Sequence, residues 1–191
     1  ACNDSAPLVN SQHYYRGPAS IAFETRKRDL LIDILCFCLM SNHYHLLVKQ
    51  RQGGSIPTFI QKLGTGYTMY FNTKYKRNGV LFQGKFKAIH VDKEAYFQHL
   101  TRYIHLNPAE IVEPDWKTKG LGRPAETYEF IEKYPWSSLS DYLGKPKYAQ
   151  ILGINLLEDL VVLRKDYKKY IQEWTMEHHN LINHLTLDQS L

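Results

Sequence analysis

Cysteine and long apolar runs are both scarce in this chain. Its 191 residues include three cysteines, too few for the dense disulfide framework of a small secreted domain. Cys36 and Cys38 fall on one face of an apolar segment together with Met40, a pattern that predicts small core residues. Asp33 interrupts the longest apolar run, which therefore stays short of the roughly 18 residues of a membrane span. With no signal-peptide pattern either, these absences predict a reduced, soluble, cytoplasmic protein without a membrane partner.

The length and the charge of the chain set broad limits on its function. A chain of 191 residues suits one domain with an appended element. It carries 24 lysines and arginines against 19 acidic residues, a net charge of +5, and such a balance suits a polyanionic partner. Many cytosolic domains are equally basic, however. The fourteen tyrosines fit stacking on unpaired bases as well as ordinary packing, so composition permits a nucleic-acid partner without requiring one.

Two histidines stand one residue apart in the apolar, β-prone segment 41–48. Successive side chains of a strand point to opposite faces, so His43 and His45 are expected to project from one side while Tyr44 faces the core. Neutral imidazole is a common metal ligand, and a strand fixes the spacing of two such ligands. The pair therefore predicts half of a metal site. The alternative is a pair of strand histidines that serve only in hydrogen bonds.

A helical pattern near residue 100 offers the rest of such a site. Leu100 and Ile104 recur at helical spacing, and Pro108 predicts that the helix ends near Asn107. Tyr103 lies four residues before Asn107, so the two side chains share one helical face. A phenol and an amide oxygen presented together to two histidines predict a nucleophile beside a three-ligand metal.

Five segments of the sequence form a recognisable series. They are HYYRG at 13–17, CLMSNHYHLLVKQ at 38–50, YTMYFNTKYKRNGVLFQGKFKAI at 67–89, RYIHLNP at 102–108 and YPWSSLSDYLG at 134–144. Together they resemble the single-tyrosine HUH transposases of the IS200-like group, closest to their REP-associated tyrosine transposase branch. In that family a histidine–hydrophobic–histidine strand partners a tyrosine on a helix. The segments stand in the expected order, and the resemblance runs from about residue 13 to about residue 144, most of the chain.

The hydrophobic pattern and the resemblance predict the same α+β fold. It is a ferredoxin-like split βαβ sandwich, an antiparallel sheet with helices on one face, followed by a C-terminal helical extension. The predicted strands are 13–16, 32–40, 43–49 and 80–91, and the predicted helices are 20–31, 56–76 and a third that Asp92 caps and that ends near 107. Residues 11–111 are expected to form the catalytic domain. Residues 112–191 are expected to wrap over it, with Trp136 and Tyr142 as anchors and amphipathic helices over 155–175. The resemblance implies that these helices contact a DNA hairpin, and the alternative is that they only cover the core.

The resemblance also assigns roles to individual residues. Tyr103 is the expected nucleophile, and Tyr96 is a weaker rival two turns earlier on the same helix. His43, His45 and Asn107 are the expected metal ligands. Mixed nitrogen and oxygen ligation suits Mg²⁺ or Mn²⁺, although ligand type alone leaves zinc open. The expected product is a 5′-phosphotyrosine with a free 3′-OH on the other DNA fragment, a linkage that permits rejoining without ATP.

Single-stranded or hairpin DNA is the partner that this chemistry implies, and it needs a basic groove. The residues expected to contact it are Arg16, Lys49, Lys74, Arg77, Lys85, Lys87 and Arg102. Lys85 and Lys87 are expected to share one face of the strand at 80–91. For any single one of these residues, a solvated charged surface is the alternative.

Three functions stay open on the sequence. The one we favour is a metal-dependent strand transferase that acts on single-stranded DNA. A second is a nicking enzyme of the same chemistry, a class that usually carries larger accessory domains. The third is a catalytically inactive ferredoxin-like nucleic-acid-binding module. A monomer with its tyrosine acting in cis is favoured over a homodimer.

Overall fold

The computed structural model describes residues 2–5, 29–153 and 166–174. The predicted first strand at 13–16 lies outside these residues, and so does Arg16. Most of the predicted helix at 20–31 and the first half of the predicted helical region at 155–175 also lie outside them. The elements below therefore belong to the described ranges.

A β-hairpin carries the two histidines. Its strands are β1 (Ile32–Leu39) and β2 (Tyr44–Gln50), and they form a two-stranded sheet. The backbone N–H of Met40 donates to the carbonyl of His43 at 2.9 Å, which closes the turn between them. Nearly all of β1 is buried, as expected of a segment of apolar and aromatic residues flanked on both faces. Both strands confirm the predicted ranges 32–40 and 43–49.

Asp33 is buried in β1 and has a charged partner at the end of the hairpin. The guanidinium of Arg51 donates from Nη2 to Asp33 Oδ1 at 2.6 Å and from Nε to both carboxylate oxygens. A carboxylate in the interior needs such a partner, because an unpaired buried charge is costly. The pair fixes the outer end of the hairpin.

Seven helices lie in the described part of the chain. The first, α1 (Ser55–Tyr75), confirms the predicted helix at 56–76 and ends at Lys76 in the left-handed conformation, φ 50°. The others are α2 (Glu94–Leu106), α3 (Ala109–Val112), α4 (Trp116–Lys119), α5 (Pro124–Lys133), α6 (Leu139–Tyr142) and α7 (Tyr167–Gln172). Among them, α1 is the longest, and no helix in these ranges is both long and apolar enough for a membrane crossing.

The predicted strand at 80–91 is wrong. This segment forms no regular secondary structure, and most of its side chains are exposed. Gly79 and Gly84 adopt positive φ angles of 95° and 70°, conformations outside the extended region that a strand requires. The expected capping role of Asp92 is also wrong, since Lys93 is the N-cap residue of α2 and makes no side-chain capping bond.

The α+β class is therefore confirmed, while the ferredoxin-like split βαβ arrangement stays a prediction. The chain forms two compact units. The first unit consists of Ala1–Asp33 and Lys49–Phe86, and it contains α1. The second unit consists of Ile34–Val48 and Lys87–Leu191. It contains the histidines and every described helix from α2 onward.

The core of the second unit is rich in aromatic side chains. Tyr103 on α2, Trp116 on α4 and Tyr167 on α7 are almost fully buried in it. Tyr142 is also buried and donates from its hydroxyl to the carbonyl of Leu35 in β1 at 2.8 Å, which confirms its predicted role as an anchor.

Trp136 does not anchor the C-terminal segment as predicted, because its side chain is 58% exposed. The backbone makes the contact instead. The carbonyl of Trp136 accepts a hydrogen bond from Leu39 N–H at 2.8 Å, and Ser138 N–H donates to the carbonyl of Phe37 at 3.0 Å. Extended backbone paired in this way along β1 turns alternate side chains outward.

Candidate active site

The two histidines come together as the strand periodicity predicts. His43 directly precedes β2 and His45 is its second residue. Their Nε2 atoms lie 3.1 Å apart, and the rings stand nearly perpendicular at 89°. Two nitrogens each about 2.1 Å from one ion and at about a right angle to each other lie about 3 Å apart. The same separation fits a hydrogen bond between the two rings, so the metal-binding role of the pair stays a prediction.

Asn42 orients the first of these imidazoles. Its side-chain oxygen lies 2.7 Å from His43 Nδ1. A carbonyl oxygen only accepts, so His43 Nδ1 carries the proton and donates, which leaves the lone pair on Nε2. Metal-binding histidines are commonly held in this way by a carbonyl on the other ring nitrogen. Asn42 was not among the predicted site residues, although it directly precedes the histidine pair in the sequence.

Tyr103 faces the histidine pair from α2. Its ring centroid lies 6.2 Å from that of His45, in an edge-to-face arrangement of 82°. The side chain is 1% exposed. Three side chains surround the ring: Trp116 and Trp174 lie 6.3 and 6.4 Å away between centroids, and Lys117 Nζ lies 5.5 Å above the ring. The geometry thus unites the predicted nucleophile with one predicted metal ligand and covers it with aromatic residues.

Asn107 follows Tyr103 by one turn, as the C-cap residue of α2. It is fully buried, and its Nδ2 donates to the backbone carbonyl of Tyr103 at 3.1 Å. Its Oδ1 has no hydrogen-bond partner among the described residues. A buried carbonyl oxygen without a partner is rare and calls for an explanation. A cation is one, because amide oxygen is a good ligand for hard divalent ions.

The two histidines alone are too few to hold a metal ion, as the sequence already indicated. Across the described ranges, no group of three or more histidine, cysteine, aspartate or glutamate side chains could hold a metal ion. A site built on His43 and His45 therefore needs a ligand of another type, and the orphaned amide oxygen of Asn107 has the right chemistry.

The opposite face of α2 is fixed by His105. This residue is fully buried, with Nδ1 2.7 Å from the Tyr167 hydroxyl and Nε2 2.8 Å from the Ser138 hydroxyl. Burial lowers the pKa of His105 to about 3, so the imidazole is neutral at physiological pH. Each hydroxyl can donate or accept, so a neutral ring is satisfied on both sides. These two contacts hold the face of α2 that lies about 200° around the helix from Tyr103.

Arg102 is not available to a DNA phosphate in this structure, contrary to the sequence prediction. It is 1% exposed, and its guanidinium donates to the carbonyl of Tyr170 at 2.7 Å. The same group stacks over the rings of Tyr170 and Trp174, at 4.0 and 4.8 Å from their centroids. Burial lowers the pKa of Arg102, yet an arginine stays charged inside a protein. We therefore remove it from the expected DNA contacts and regard it as a packing residue between α2 and α7.

The other predicted DNA contacts lie at the surface where the structure describes them. Lys49, Lys74, Arg77, Lys85 and Lys87 are all exposed. Lys85 and Lys87 do not share a strand face, since their segment has no strand. The contact of any of these residues with DNA stays a prediction.

The rival nucleophile Tyr96 lies on the first turn of α2. It is partly exposed, and Lys93 Nζ lies 5.3 Å above its ring. Tyr44 is half-buried, as His43 and His45 are, and burial raises the pKa of its phenol. Of the three tyrosines near the site, Tyr103 is the one whose ring faces His45 with an amide one turn away.

Comparison with known proteins agrees with this arrangement. Residues 18–107 match the family model described as transposase, IS200 like. The matched segment contains the histidine pair, Tyr103 and Asn107. Neither the curated proteins nor the solved structures gave a match. A transposase family implies DNA as the partner, while the match does not distinguish a REP-associated branch. This segment, just under half of the chain, is similar to the IS200-like transposases.

Proposed function

We propose that this protein is a transposase that cleaves single-stranded, hairpin-bearing DNA in a divalent-metal-dependent reaction and rejoins the strands through a 5′-phosphotyrosine on Tyr103. The observation that carries the proposal is the histidine pair, with its two Nε2 atoms 3.1 Å apart, facing the ring of Tyr103. This grouping combines a predicted metal-binding pair with a predicted nucleophile inside the segment that matches the family.

His43, His45 and Asn107 are the residues that would hold the ion. The orphaned Oδ1 of Asn107 and the converging imidazole nitrogens support this donor set. Two nitrogens and one amide oxygen suit Mg²⁺ or Mn²⁺ with positions left for phosphate and water. A bound divalent ion would withdraw charge from the phosphate that is attacked. Asn42 supports the site by holding His43 in the tautomer that presents Nε2.

Tyr103 performs the bond exchange. Its Oη attacks the phosphorus of the scissile phosphodiester and forms a P–O bond to the tyrosine. The bond from phosphorus to the 3′ oxygen breaks, and that oxygen leaves with a proton as a free 3′-OH. The phenol proton is lost to solvent, since a phenol with an ordinary pKa of about 10 must be deprotonated to attack. Attack by another 3′-OH reverses these steps and releases the tyrosine, so joining needs no ATP.

Substrate access requires movement of the groups that cover Tyr103. With 1% of the side chain exposed, a phosphate reaches Oη only when a neighbouring ring is displaced. Trp174 is the most readily displaced of these, because it lies beyond the end of the short helix α7 and is only partly buried. The buried state protects the nucleophile until DNA is bound.

Three finer features belong to the same proposal. They are the REP-associated branch, a monomer that acts in cis, and a cytoplasmic location. Membership of the REP-associated branch makes repeat-associated hairpins the natural substrates. The catalytic domain over 11–111 and the contact of residues 112–191 with a DNA hairpin are likewise proposals.

The proposal is tested by an assay for strand exchange. The protein is incubated with a labelled single-stranded hairpin DNA and an unlabelled acceptor, with Mg²⁺, Mn²⁺ or EDTA. We expect a covalent protein–DNA band and a joined product with either metal and neither with EDTA. Tyr103→Phe should abolish both bands, whereas Tyr96→Phe, the matched control on the same helix, should retain them.

Two outcomes would change the proposal. An adduct that survives in Tyr103→Phe and vanishes in Tyr96→Phe would mean that the wrong helical face was chosen. Tight DNA binding with no adduct on any hairpin would leave the catalytically inactive nucleic-acid-binding module as the better reading.

A further inference from the structure

The positive charge of the chain is concentrated in one continuous segment. Between Asp33 and Asp92 the sequence contains no aspartate or glutamate and eight lysines or arginines. The whole chain carries 24 basic and 19 acidic residues, so the remainder has 16 basic and 19 acidic residues. The segment therefore has a formal charge of +8 and the rest of the chain −3. A segment without carboxylates has no internal ion pairs to neutralise its cations.

The helix α1 lies inside this segment and exposes aromatic rings on one face. Tyr67, Tyr70 and Tyr75 are 47%, 46% and 55% exposed, unusually high values for large rings. With Phe71 they occupy positions three, four and eight residues apart, which places them on a single stripe of the helix. The stripe from 67 to 75 is about 12 Å long at about 1.5 Å per residue.

A turn adds a fifth ring to this stripe. Lys76 ends α1 in the left-handed conformation, and Asn72 Nδ2 donates to the carbonyl of Gly79 at 2.8 Å. The chain then returns so that the ring of Phe82 lies 6.0 Å from that of Tyr67. We call Tyr67, Tyr70, Phe71, Tyr75 and Phe82 the aromatic platform.

Cations stand directly over the aromatic platform. Lys74 Nζ lies 5.7 Å from the centroid of Tyr70 and 5.3 Å from that of Tyr75. The guanidinium carbon of Arg77 lies 5.5 Å from the centroid of Phe71. The phenols raise the pKa of Lys74, so its charge is secure at physiological pH. Positive charge thus lies against three of the five rings within one patch.

We propose that the aromatic platform binds single-stranded DNA, with unpaired bases stacked on its rings and phosphates paired with Lys74 and Arg77. The inference rests on the proposed function for its substrate class and adds a binding surface in the first unit, separate from the histidine pair. Proteins that bind single strands combine stacking rings with a basic track in this way. At about 3.4 Å per stacked base, the stripe accommodates about three nucleotides.

Charge is the reason to prefer DNA over a second copy of the chain. A self-complementary contact would bring Lys74 and Arg77 of two copies together, in a segment that has no carboxylate to pair with them. Interfaces between copies favour opposite charges, and like charges in contact are costly. A polyanion with apolar bases matches both properties of the aromatic platform.

The test measures DNA affinity without cleavage, in a Tyr103→Phe background with EDTA. Fluorescence anisotropy gives the Kd for a labelled oligo-dT strand and for an abasic strand with the same number of phosphates. The double variant Tyr70→Ala, Tyr75→Ala should bind oligo-dT at least about tenfold more weakly and the abasic strand unchanged. The matched variant Tyr70→Phe, Tyr75→Phe should bind both like the parent, since stacking needs the ring and not the hydroxyl.

The cations give a second, independent readout. Lys74→Ala should lower the slope of log Kd against log salt by about 0.7 on both strands, while the tyrosine variants leave that slope unchanged. Trp136→Ala is the control for an exposed ring outside the aromatic platform and should change neither quantity. Because Tyr70 and Tyr75 are about half exposed, these variants should keep the helical circular dichroism of the parent.

A crosslinking measurement on the otherwise unmodified chain covers the case of a variant that fails to fold. Irradiation of an iodouracil strand should attach it to the tryptic peptide 63–74, which contains three of the five rings. Attachment only to other peptides overturns the inference. So does equal binding of oligo-dT by parent and alanine variants, or a loss of dimer mass in those variants with unchanged DNA affinity.

The outcomes separate this inference from the proposed function. If DNA forms an adduct on Tyr103 and the platform variants have no effect on binding, the proposed function is supported and the aromatic platform is refuted as a binding site. If binding depends on the aromatic platform and no adduct forms, the binding site is supported and the proposed function is refuted.

Discussion

The proposed role of Asn107 as a metal ligand predicts how its replacement changes the free energy of unfolding. Its side-chain oxygen is buried without a partner in the described structure, and its Nδ2 makes one hydrogen bond to the carbonyl of Tyr103. An unpaired buried acceptor costs about 1–3 kcal/mol, and a hydrogen bond contributes about 0.5–1.5 kcal/mol. Replacing Asn107 with leucine, a side chain of similar size, removes the unpaired acceptor but leaves the buried carbonyl of Tyr103 without this donor, at a similar cost of about 1–3 kcal/mol. We expect Asn107→Leu to change the free energy of unfolding of the metal-free protein by between about −2 and +2 kcal/mol, close to neutral.

The same substitution should remove the response to metal. A ligand at about 100 times its Kd stabilises the folded state by about 2.7 kcal/mol, which is about 5–11 °C in Tm for a chain of this size. Differential scanning calorimetry with EDTA and with saturating Mn²⁺ should show this shift in the parent. Asn107→Leu should lose most of it, while Asn107→Asp, which keeps an oxygen donor, should retain it.

Asn72 provides a matched control for this experiment. Its Oδ1 is likewise buried without a described partner, and its Nδ2 also donates to one backbone carbonyl. Asn72→Leu should therefore leave the metal-induced shift of Tm intact. A full shift in Asn107→Leu would refute Asn107 as a ligand. If metal-free Asn107→Leu lost more than about 3 kcal/mol of unfolding free energy, the Asn107 oxygen could not be an unpaired acceptor that destabilises the parent.

Three further predictions concern the surroundings of the site. His105 is neutral when folded, with a pKa of about 3 against 6.5 for an ordinary histidine, so the unfolded chain gains a proton first as the pH falls. The contribution of His105 to folding stability should be fully present above about pH 6.5, and stability should fall by about 2 kcal/mol between pH 8 and pH 5. Urea melts in EDTA should show that this loss is abolished in His105→Gln. The loss should be retained in His90→Gln, a control at an exposed histidine. Asn42→Ala should weaken metal binding about 10–100-fold by calorimetric titration, with adduct formation restored at high Mn²⁺; an unchanged affinity would mean that His43 needs no orientation from Asn42. Trp174→Ala should uncover Tyr103 and speed adduct formation in single-turnover gels, and a slower reaction would show that Trp174 supports the site instead of covering it.

The geometry of the site was largely predictable because it follows from local periodicity. Period two of a strand puts His43 and His45 on one side, and their nitrogens are 3.1 Å apart. A spacing of four on a helix puts Asn107 one turn from Tyr103, and the two are hydrogen-bonded. Backbone geometry alone enforces both relations.

Features that depend on distant packing were not predictable in this way. Arg102 is positively charged and directly precedes the expected nucleophile, so the sequence predicts a phosphate contact. Its guanidinium is buried because Tyr170 and Trp174, about seventy positions later in the chain, pack over it. Which face of α2 is covered depends on α7, and no local pattern near Arg102 reports it.

The predicted strand at 80–91 shows the same limit for secondary structure. Its alternation of apolar and polar residues fits a strand, but pairing requires an extended backbone and an available edge. Gly84 adopts a positive φ in the middle of the segment, and the chain instead returns toward α1, where Phe82 meets Tyr67. Trp136 was misassigned for a related reason, because its backbone and not its ring makes the contact with β1.

The most direct test of the central claim is to find which tyrosine carries the DNA. Trypsin cuts after Lys93, Arg102 and Lys117, so Tyr96 and Tyr103 fall in different peptides, 94–102 and 103–117. After reaction with a hairpin strand and Mn²⁺, nuclease and trypsin digestion should leave a nucleotide phosphate on peptide 103–117, located on Tyr103 by fragmentation. The same mass on peptide 94–102, or on neither peptide when the covalent band is present, would contradict the account.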